Sequence, residues 1–259
     1  MYYDAPTAAA VADECRLLLS GGRVQQVVQV DDLTVGFEIY ARQERQYLIA
    51  SADAQRARVH LTGVKLRRGV ETPTPLLLLL RKYVRDGHVV SVRQPPFERI
   101  LRIEVESAEG TFTLIVEAMG RHSNVILCEE DGTVLDAVKR VGLRLSRVRP
   151  ILPGDLYVPP PPQDKLDPTD VTELRLRELL DGAEGNRPAW RALVNGIRGV
   201  SPLLAKEIVY RATGTVETGA HEVGWASPLL DAFQGIVAHT WEHDWQPCVA
   251  TEEGRVVAF

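Results

Sequence analysis

Residues 119–124, Met-Gly-Arg-His-Ser-Asn, set a cation, an imidazole, a hydroxyl and an amide in succession after a glycine and directly before the apolar run Val125-Ile126-Leu127. Arg121, His122, Ser123 and Asn124 could recognise a polar ligand, or they could form a turn that satisfies buried backbone groups. A second cluster, Pro96-Phe97-Glu98-Arg99-Ile100, places a carboxylate beside a guanidinium at a strand start. There, alternation sends the two side chains to opposite faces unless a bulge intervenes. A third stretch, residues 197–208, has the pattern of a helix-hairpin-helix: Gly199 for the turn, Ser201 to cap, Pro202 to open the second helix and Ala205 at its close-packing position. Turn amides and a helix amino terminus of this kind hold a phosphate, and the glycine lets the backbone approach it. Ser201 replaces the second glycine usual in such hairpins, and the nearby charge is only Arg198 and Lys206. A plain antiparallel helix pair is the alternative reading.

Other chemistry has little support. No phosphate-binding glycine loop, nucleophile elbow or paired acid site emerges. His239 and His243 are four apart, near Cys248 and His221, a spacing that could serve zinc on a helix face. Trp241 and Trp245 interleave with them and favour packing instead. Cys15, Cys128 and Cys248 are an odd number, far apart and without a CxxC, so neither a disulfide framework nor a thiolate metal site is expected. No cofactor and no metal are expected, and the reducing cytoplasm is the expected compartment.

The 259 residues carry a net charge of −5, which by itself argues against a nucleic-acid partner, but the charge is polarised. Residues 54–103 hold eleven Lys and Arg against three acids, a net of +8. Arg81 and Lys82 belong to this stretch, and Lys139 and Arg140 open a second basic cluster with Arg144, Arg147 and Arg149. Residues 163–259 hold nine basic and fifteen acidic groups. Solvated faces would explain this pattern as well as phosphate contacts do. No secretion signal or membrane-spanning apolar run is visible, so no membrane partner is expected.

The elements that must position these residues follow from periodicity. Residues 7–20 predict an amphipathic helix stopped by Gly21-Gly22. Strands are expected over 23–30 and 33–41, joined at Asp31-Asp32, then over 46–51 and 58–61. After Pro73 and Pro75 a second helix is expected over 76–85, again ending in a glycine and running into a strand. GGRVQQVVQ at Gly21 and DGHVVSVRQ at Asp86 stand about 65 residues apart, a weak internal duplication of helix, turn and strands. Further strands are expected over 99–106, 111–117, 123–128 and 134–139, the last two joined through Glu130-Asp131-Gly132. Residues 151–168 hold six prolines and predict a stiff connector without ladder hydrogen bonds. Helices are expected over 170–181, 188–195, 202–213 and 228–242, then a hairpin around Glu253-Gly254. The fold class is α+β: a β-rich domain over 1–150, the connector 151–168, a helical domain over 169–245 and a terminal hairpin over 246–259 that stops without a cap.

Taken in order, FERI (97–100), EAMGRHSNVIL (117–127), VLDAVKRV (134–141), LPGDLYVPPP (152–161) and GVSPLLAKEI (199–208) resemble the landmarks of the NFACT amino-terminal domain. That domain belongs to the RqcH family, once filed under fibronectin-binding protein A, and to its eukaryotic relatives. The resemblance covers nearly the whole chain. It implies a tRNA-binding and rRNA-binding module of a ribosome quality-control factor. Such factors bind the 50S ribosomal subunit with its obstructed peptidyl-tRNA and recruit alanine tRNA, so that stalled nascent chains receive a C-terminal tail. It also implies a fold like the amino-terminal half of formamidopyrimidine DNA glycosylases followed by a helix-hairpin-helix part, with a coiled coil and a later RNA-binding domain beyond residue 259.

The family's acid-arginine pair falls on Glu98 and Arg99, and its early aspartate on Asp4; both are implied in recruiting tRNA. Glu98 stands where the family usually has Asp, so its carboxylate reaches one bond further. Arg121, His122, Ser123 and Asn124 carry the family motif as further tRNA-binding candidates, and Gly199, Arg81, Lys82, Lys139 and Arg140 are candidate phosphate contacts. Those glycosylases use an amino-terminal proline as nucleophile; here Tyr2 follows the initiator, so no glycosylase or lyase activity is expected. A fibronectin-binding surface adhesin is the alternative function, and a DNA-binding protein of glycosylase type a more distant one.

Overall fold

The computed structural model describes residues 3–185 and 187–258, so the reading placed on Tyr2 lies outside the described residues. The described residues divide into two compact units, one formed by Val11–Pro160 and the other by residues 3–10 with 161–185 and 187–258.

The first unit is built on one antiparallel sheet. Helix α1 (Ala5–Leu19), whose residues from Val11 onward belong here, leads into β1 (Arg23–Asp31), β2 (Thr34–Ala41), β3 (Glu44–Ser51) and β4 (Arg58–Thr62). Helix α2 (Pro75–Tyr83) then leads into β5 (His88–Arg93), β6 (Ile100–Ser107), β7 (Gly110–Glu117), β8 (Asn124–Glu129) and β9 (Val134–Ala137). The strand order is β4-β3-β2-β1-β5-β6-β7-β8-β9. In it, two meanders meet back to back, and β3 contacts β8 while β4 contacts β7, so the sheet folds over on its own core.

That order is the duplication expected from the sequence, and the junction gives it a register. Arg23 pairs with His88, 65 positions on. Gly21 N donates to Val89 O at 2.8 Å and Asp86 N to Val24 O at 2.7 Å; Val89 N donates to Gly22 O and Val24 N to Gly87 O, each at 2.9 Å. A shift of 65 carries each bond of a pair onto the other, as a local twofold axis requires. Irregularities between Val24 and Gln26 and between Val89 and Ser91 obey the same shift. A Cβ on Gly22 would stand 2.8 Å from Leu19 O and one on Gly87 2.8 Å from Glu106 O, so both copies need the bare backbone there.

The proline-rich segment departs from expectation. Its first half is paired: Ile151 bridges Val141, Leu156 bridges Thr133, and Val134 N donates to Asp155 O at 2.8 Å. Ile151, 5 % exposed, joins a cluster of Ile100, Ile115, Ile126 and Cys128. Pro153, the one proline of residues 151–157, stands in a turn that owes no ladder donor, so these residues lie along the sheet while Pro159–Pro162 run without one.

The second unit is helical: α3 (Glu173–Asp181), α4 (Ala189–Gly196), α5 (Pro202–Thr213) and α6 (Ser227–Glu242), then a hairpin of β10 (Ala250–Glu252) and β11 (Arg255–Ala258). Helix α5 has its predicted limits because its signals are complete. Ser201 Oγ accepts from Leu204 N at 3.1 Å, Pro202 opens the helix, and Gly214 at φ 80° ends it. The core holds Leu176, Leu180, Leu193, Ala205, Ile208 and Phe233. The whole is thus an α+β fold, a many-stranded antiparallel sheet with flanking helices followed by further helices.

Candidate nucleic-acid interface

At one end of β6, β7 and β8 the two polar clusters come together. Ile100 pairs with Glu117, Glu117 with Asn124, and Ala118 N donates to Arg99 O at 2.8 Å. The loop that carries Glu98 and Arg99 and the turn that carries residues 119–123 therefore flank the same strand end.

Glu98 and Arg99 are not borne on a strand, as the alternation argument assumed; β6 begins at Ile100. Phe97, buried and at φ 56°, turns the chain first, Glu98 N donates to Pro95 O at 3.0 Å, and Gln94 Nε2 donates to Glu98 O at 2.6 Å. Glu98 is half-buried and Arg99 exposed. Among the described residues the Arg99 guanidinium has no hydrogen-bonding or ion-pair partner.

The string 119–124 divides in two. Gly120, at φ 59°, opens a 3₁₀ turn over Gly120–His122 that leaves Arg121 and His122 exposed, with Arg121 Nε donating to His122 Nε2 at 2.9 Å. Ser123 and Asn124 are 0 % and 1 % exposed. Ser123 Oγ accepts from Met119 N at 2.7 Å. Asn124 Nδ2 donates to Lys139 O at 2.8 Å, while its Oδ1 accepts from Lys139 N at 2.9 Å and Val125 N at 3.0 Å. These two side chains therefore hold the turn's frame and present no surface to a ligand.

Most of the expected phosphate contacts are engaged within the fold. Arg140 grips the buried Asp136 through Nε at 2.8 Å and Nη2 at 3.0 Å. Lys139 Nζ donates to Ala52 O at 2.6 Å, and burial holds its ammonium below the usual lysine range against the opposing pull of Asp53. Arg81 Nε donates to Val27 O at 3.3 Å. Lys82 lies 4.5 Å over the Tyr83 ring, which packs on Phe112 near the far end of β7. Phe112 and Glu117 stand five positions apart along the strand, roughly 17 Å, so Arg81 and Lys82 do not join the Arg99 cluster.

Asp4 and Gly199 lie in the helical unit. The Asp4 carboxylate caps α1, Oδ1 accepting from Thr7 N at 3.2 Å and Thr7 Oγ1 at 2.9 Å, while Oδ2 accepts from Ser201 Oγ at 2.8 Å. One carboxylate thus serves two helix amino termini. Gly199, at φ 75°, makes the α4–α5 turn. With Asp4 bonded to the cap of α5, a negative charge already stands at that terminus, which disfavours a phosphate there.

Sequence reasoning missed Glu117. It is 0 % exposed, accepts from Arg149 Nη1 at 3.0 Å and pairs with Nη2, and accepts from Tyr157 Oη at 2.8 Å. Burial, then the Glu117 charge, pushes the Tyr157 phenol above its ordinary range. The one available signal was an acid closing the apolar run 114–116, a position that demands a partner. Beneath the Arg99 loop this cluster ties β7 to the segment 149–157.

At this strand end the cations of Arg99 and Arg121 are held out to solvent, while the hydrogen-bonding side chains of Ser123 and Asn124 are spent on the frame. Residues 4–259 match the family of NFACT N-terminal and middle domains, and the chain belongs to that family. Its members are non-catalytic adaptor domains. A Bacillus subtilis relative, "Rqc2 homolog RqcH", is 32% identical over 261 residues, covering 98% of this chain and 44% of its own length. The chain therefore spans less than half of that relative. Among solved structures, the N-terminal part of the fibronectin/fibrinogen-binding protein from Streptococcus suis superposes with a TM-score of 0.72 at 27% identity, over 90% of this chain and 85% of that one. The fibrinogen binding protein from Staphylococcus aureus gives 0.73 at 27%, over 93% and 83%. Among the described residues no group of three or more His, Cys, Asp or Glu could hold a metal ion, His239 and His243 included. No helix among them is long and apolar enough to cross a membrane.

Proposed function

We propose that this chain is a tRNA- and large-subunit-binding module of a ribosome quality-control factor, which recruits alanine tRNA to obstructed 50S subunits for tailing of the stalled nascent chain. The observation that carries the reading is the pairing of exposed Arg99 and Arg121 on two stiff turns at one end of β6–β8. Two guanidiniums so held suit phosphates and base edges of a folded RNA. Arg99 makes the direct contact, Glu98 and His122 flank it, and Ser123 and Asn124 act by holding the turn in place, while Asp4 acts within the helical unit by capping α1 and α5. The likeness to the glycosylase fold belongs to this reading, supported by the two-meander sheet followed by the α4–α5 hairpin.

The test is a pull-down of the full-length protein from cells, read for 50S subunits and alanine tRNA. The wild type should bring both, and Arg99→Ala should lose the tRNA while keeping the subunit. Retention of tRNA by Arg99→Ala sinks the site; absence of both from the wild type sinks the function. The descriptions of the Streptococcus suis and Staphylococcus aureus structures favour a second reading, binding to fibronectin or fibrinogen. Saturable binding of this chain to immobilised fibronectin, with no ribosomal association, would establish it instead.

A further inference from the structure

Trp190 on α4 carries two cations. The Arg191 guanidinium carbon lies 5.2 Å from its ring centroid and Lys206 Nζ, reaching from α5, lies 5.1 Å from it. Both cationic residues are exposed, and among the described residues neither has a carboxylate within ion-pair distance. An indole positions a cation without neutralising it, so the charge of this pair stays available to an anion.

Arg191 also stands on the wall of an open cleft of about 830 Å³, which Lys165, Arg175 and Arg187 share. Glu178 pairs with Arg175 at 2.9 Å and Glu184 with Arg187 at 3.1 Å, which leaves Lys165 and Arg191 against Asp164. Five of the nine Lys and Arg of residues 163–259 are thus gathered on one cleft and one indole, in a stretch that holds fifteen acids. A unit that is acidic overall disfavours a polyanion over most of its surface and so orients it on this face. Tyr210, 54 % exposed, follows Lys206 by four residues on α5 and offers an aromatic face beside the cations.

We propose that this face of the helical unit is a second RNA contact, in which Arg191 and Lys206 hold successive phosphates of a single-stranded segment and Tyr210 stacks on one of its bases. A duplex would present no open base to the ring. The inference rests on the RNA-binding reading above and uses neither Arg99 nor Arg121.

The test is a titration of a labelled uridine octanucleotide with this chain at several salt concentrations. Loss of two phosphate contacts in R191Q/K206Q should lower the slope of log K against log salt by about 1.4. Tyr210→Ala should weaken binding about tenfold at an unchanged slope, Lys206→Arg should keep the wild-type slope, and Arg255→Gln, which removes an exposed cation outside the cleft lining, should change neither quantity. No octanucleotide binding by the wild type, an unaltered slope in the double variant, or an equal loss in Arg255→Gln would each overturn the second contact. The pull-down with alanine tRNA stands apart from these outcomes, because it reads Arg99.

Discussion

One side chain, Asn124, brackets the backbone of Lys139: its amide nitrogen donates to Lys139 O at 2.8 Å and its amide oxygen accepts from Lys139 N at 2.9 Å. The asparagine extends the pairing of β8 with β9 one step beyond Val138, whose N–H makes the last backbone bond, to Val125 O at 2.8 Å. The polar turn and the basic segment that follows β9 are thereby locked in one geometry, and the Arg121 turn is rigid at its base.

Asn124→Ala removes both bonds and leaves Lys139 N–H and C=O without this partner, at a cost of about 2–3 kcal/mol. The urea midpoint should fall with the slope unchanged. The exposed neighbour provides the control, since His122→Ala should stay within about 0.5 kcal/mol of wild type. Equal effects of the two substitutions would remove the clasp from the account.

Arg149→Met strips the guanidinium from Glu117 and leaves a carboxylate at 0 % exposure with Tyr157 alone among the partners described above. The expected loss is about 3–5 kcal/mol, the cost of an uncompensated buried charge. Adding Glu117→Leu should recover much of that loss, read by the same denaturation curves. A double variant no more stable than Arg149→Met would contradict the assignment.

Thiol labelling should separate the three cysteines. Burial pushes the Cys15 and Cys128 thiols up to about 12, whereas Cys248 is exposed. At pH 8 an aromatic disulfide reagent should react quickly with one thiol per native chain, with none in Cys248→Ser, and with three in denaturant. Fast reaction of a second thiol in the native chain would mean that one of these cores opens.

The twofold junction predicts matched sensitivities. Gly22→Ala and Gly87→Ala each bring a Cβ against a backbone oxygen, and each should cost about 1–3 kcal/mol. Gly142→Ala meets nothing within 4 Å and should lie within about 0.5 kcal/mol of wild type. Thermal melts of the three variants decide it, and a large difference between Gly22 and Gly87 would argue that the copies are not equivalent.

Features written in short stretches of residues were legible without the structure. The limits of α5 follow from Ser201, Pro202 and Gly214, and the two meanders from alternation and their turns. The duplication could be read from two glycine-led strings 65 residues apart, because a repeated backbone demand leaves a repeated residue. The family was legible too, since its motifs are contiguous.

Tertiary structure alone decided what each motif residue does. Arg121 and Ser123 are two positions apart, yet one faces solvent and the other is sealed in the turn, because the positive φ of Gly120 starts a 3₁₀ turn rather than an alternating strand. Glu98 and Arg99 left the strand because Phe97 buries its ring at φ 56°. Residues 151–157 joined the sheet although the prolines of 151–168 suggested a free linker, and Glu117 found Arg149 and Tyr157 across 32 and 40 residues. Nothing local marks such partners: a side chain's sequence neighbours set its direction, but the groups it meets are brought there by the closing of the whole sheet. Cation count alone would have favoured residues 54–103 as the binding surface; which guanidiniums stay unpaired, Arg99 among them, depends on the carboxylates and carbonyls that folding places within reach of the others.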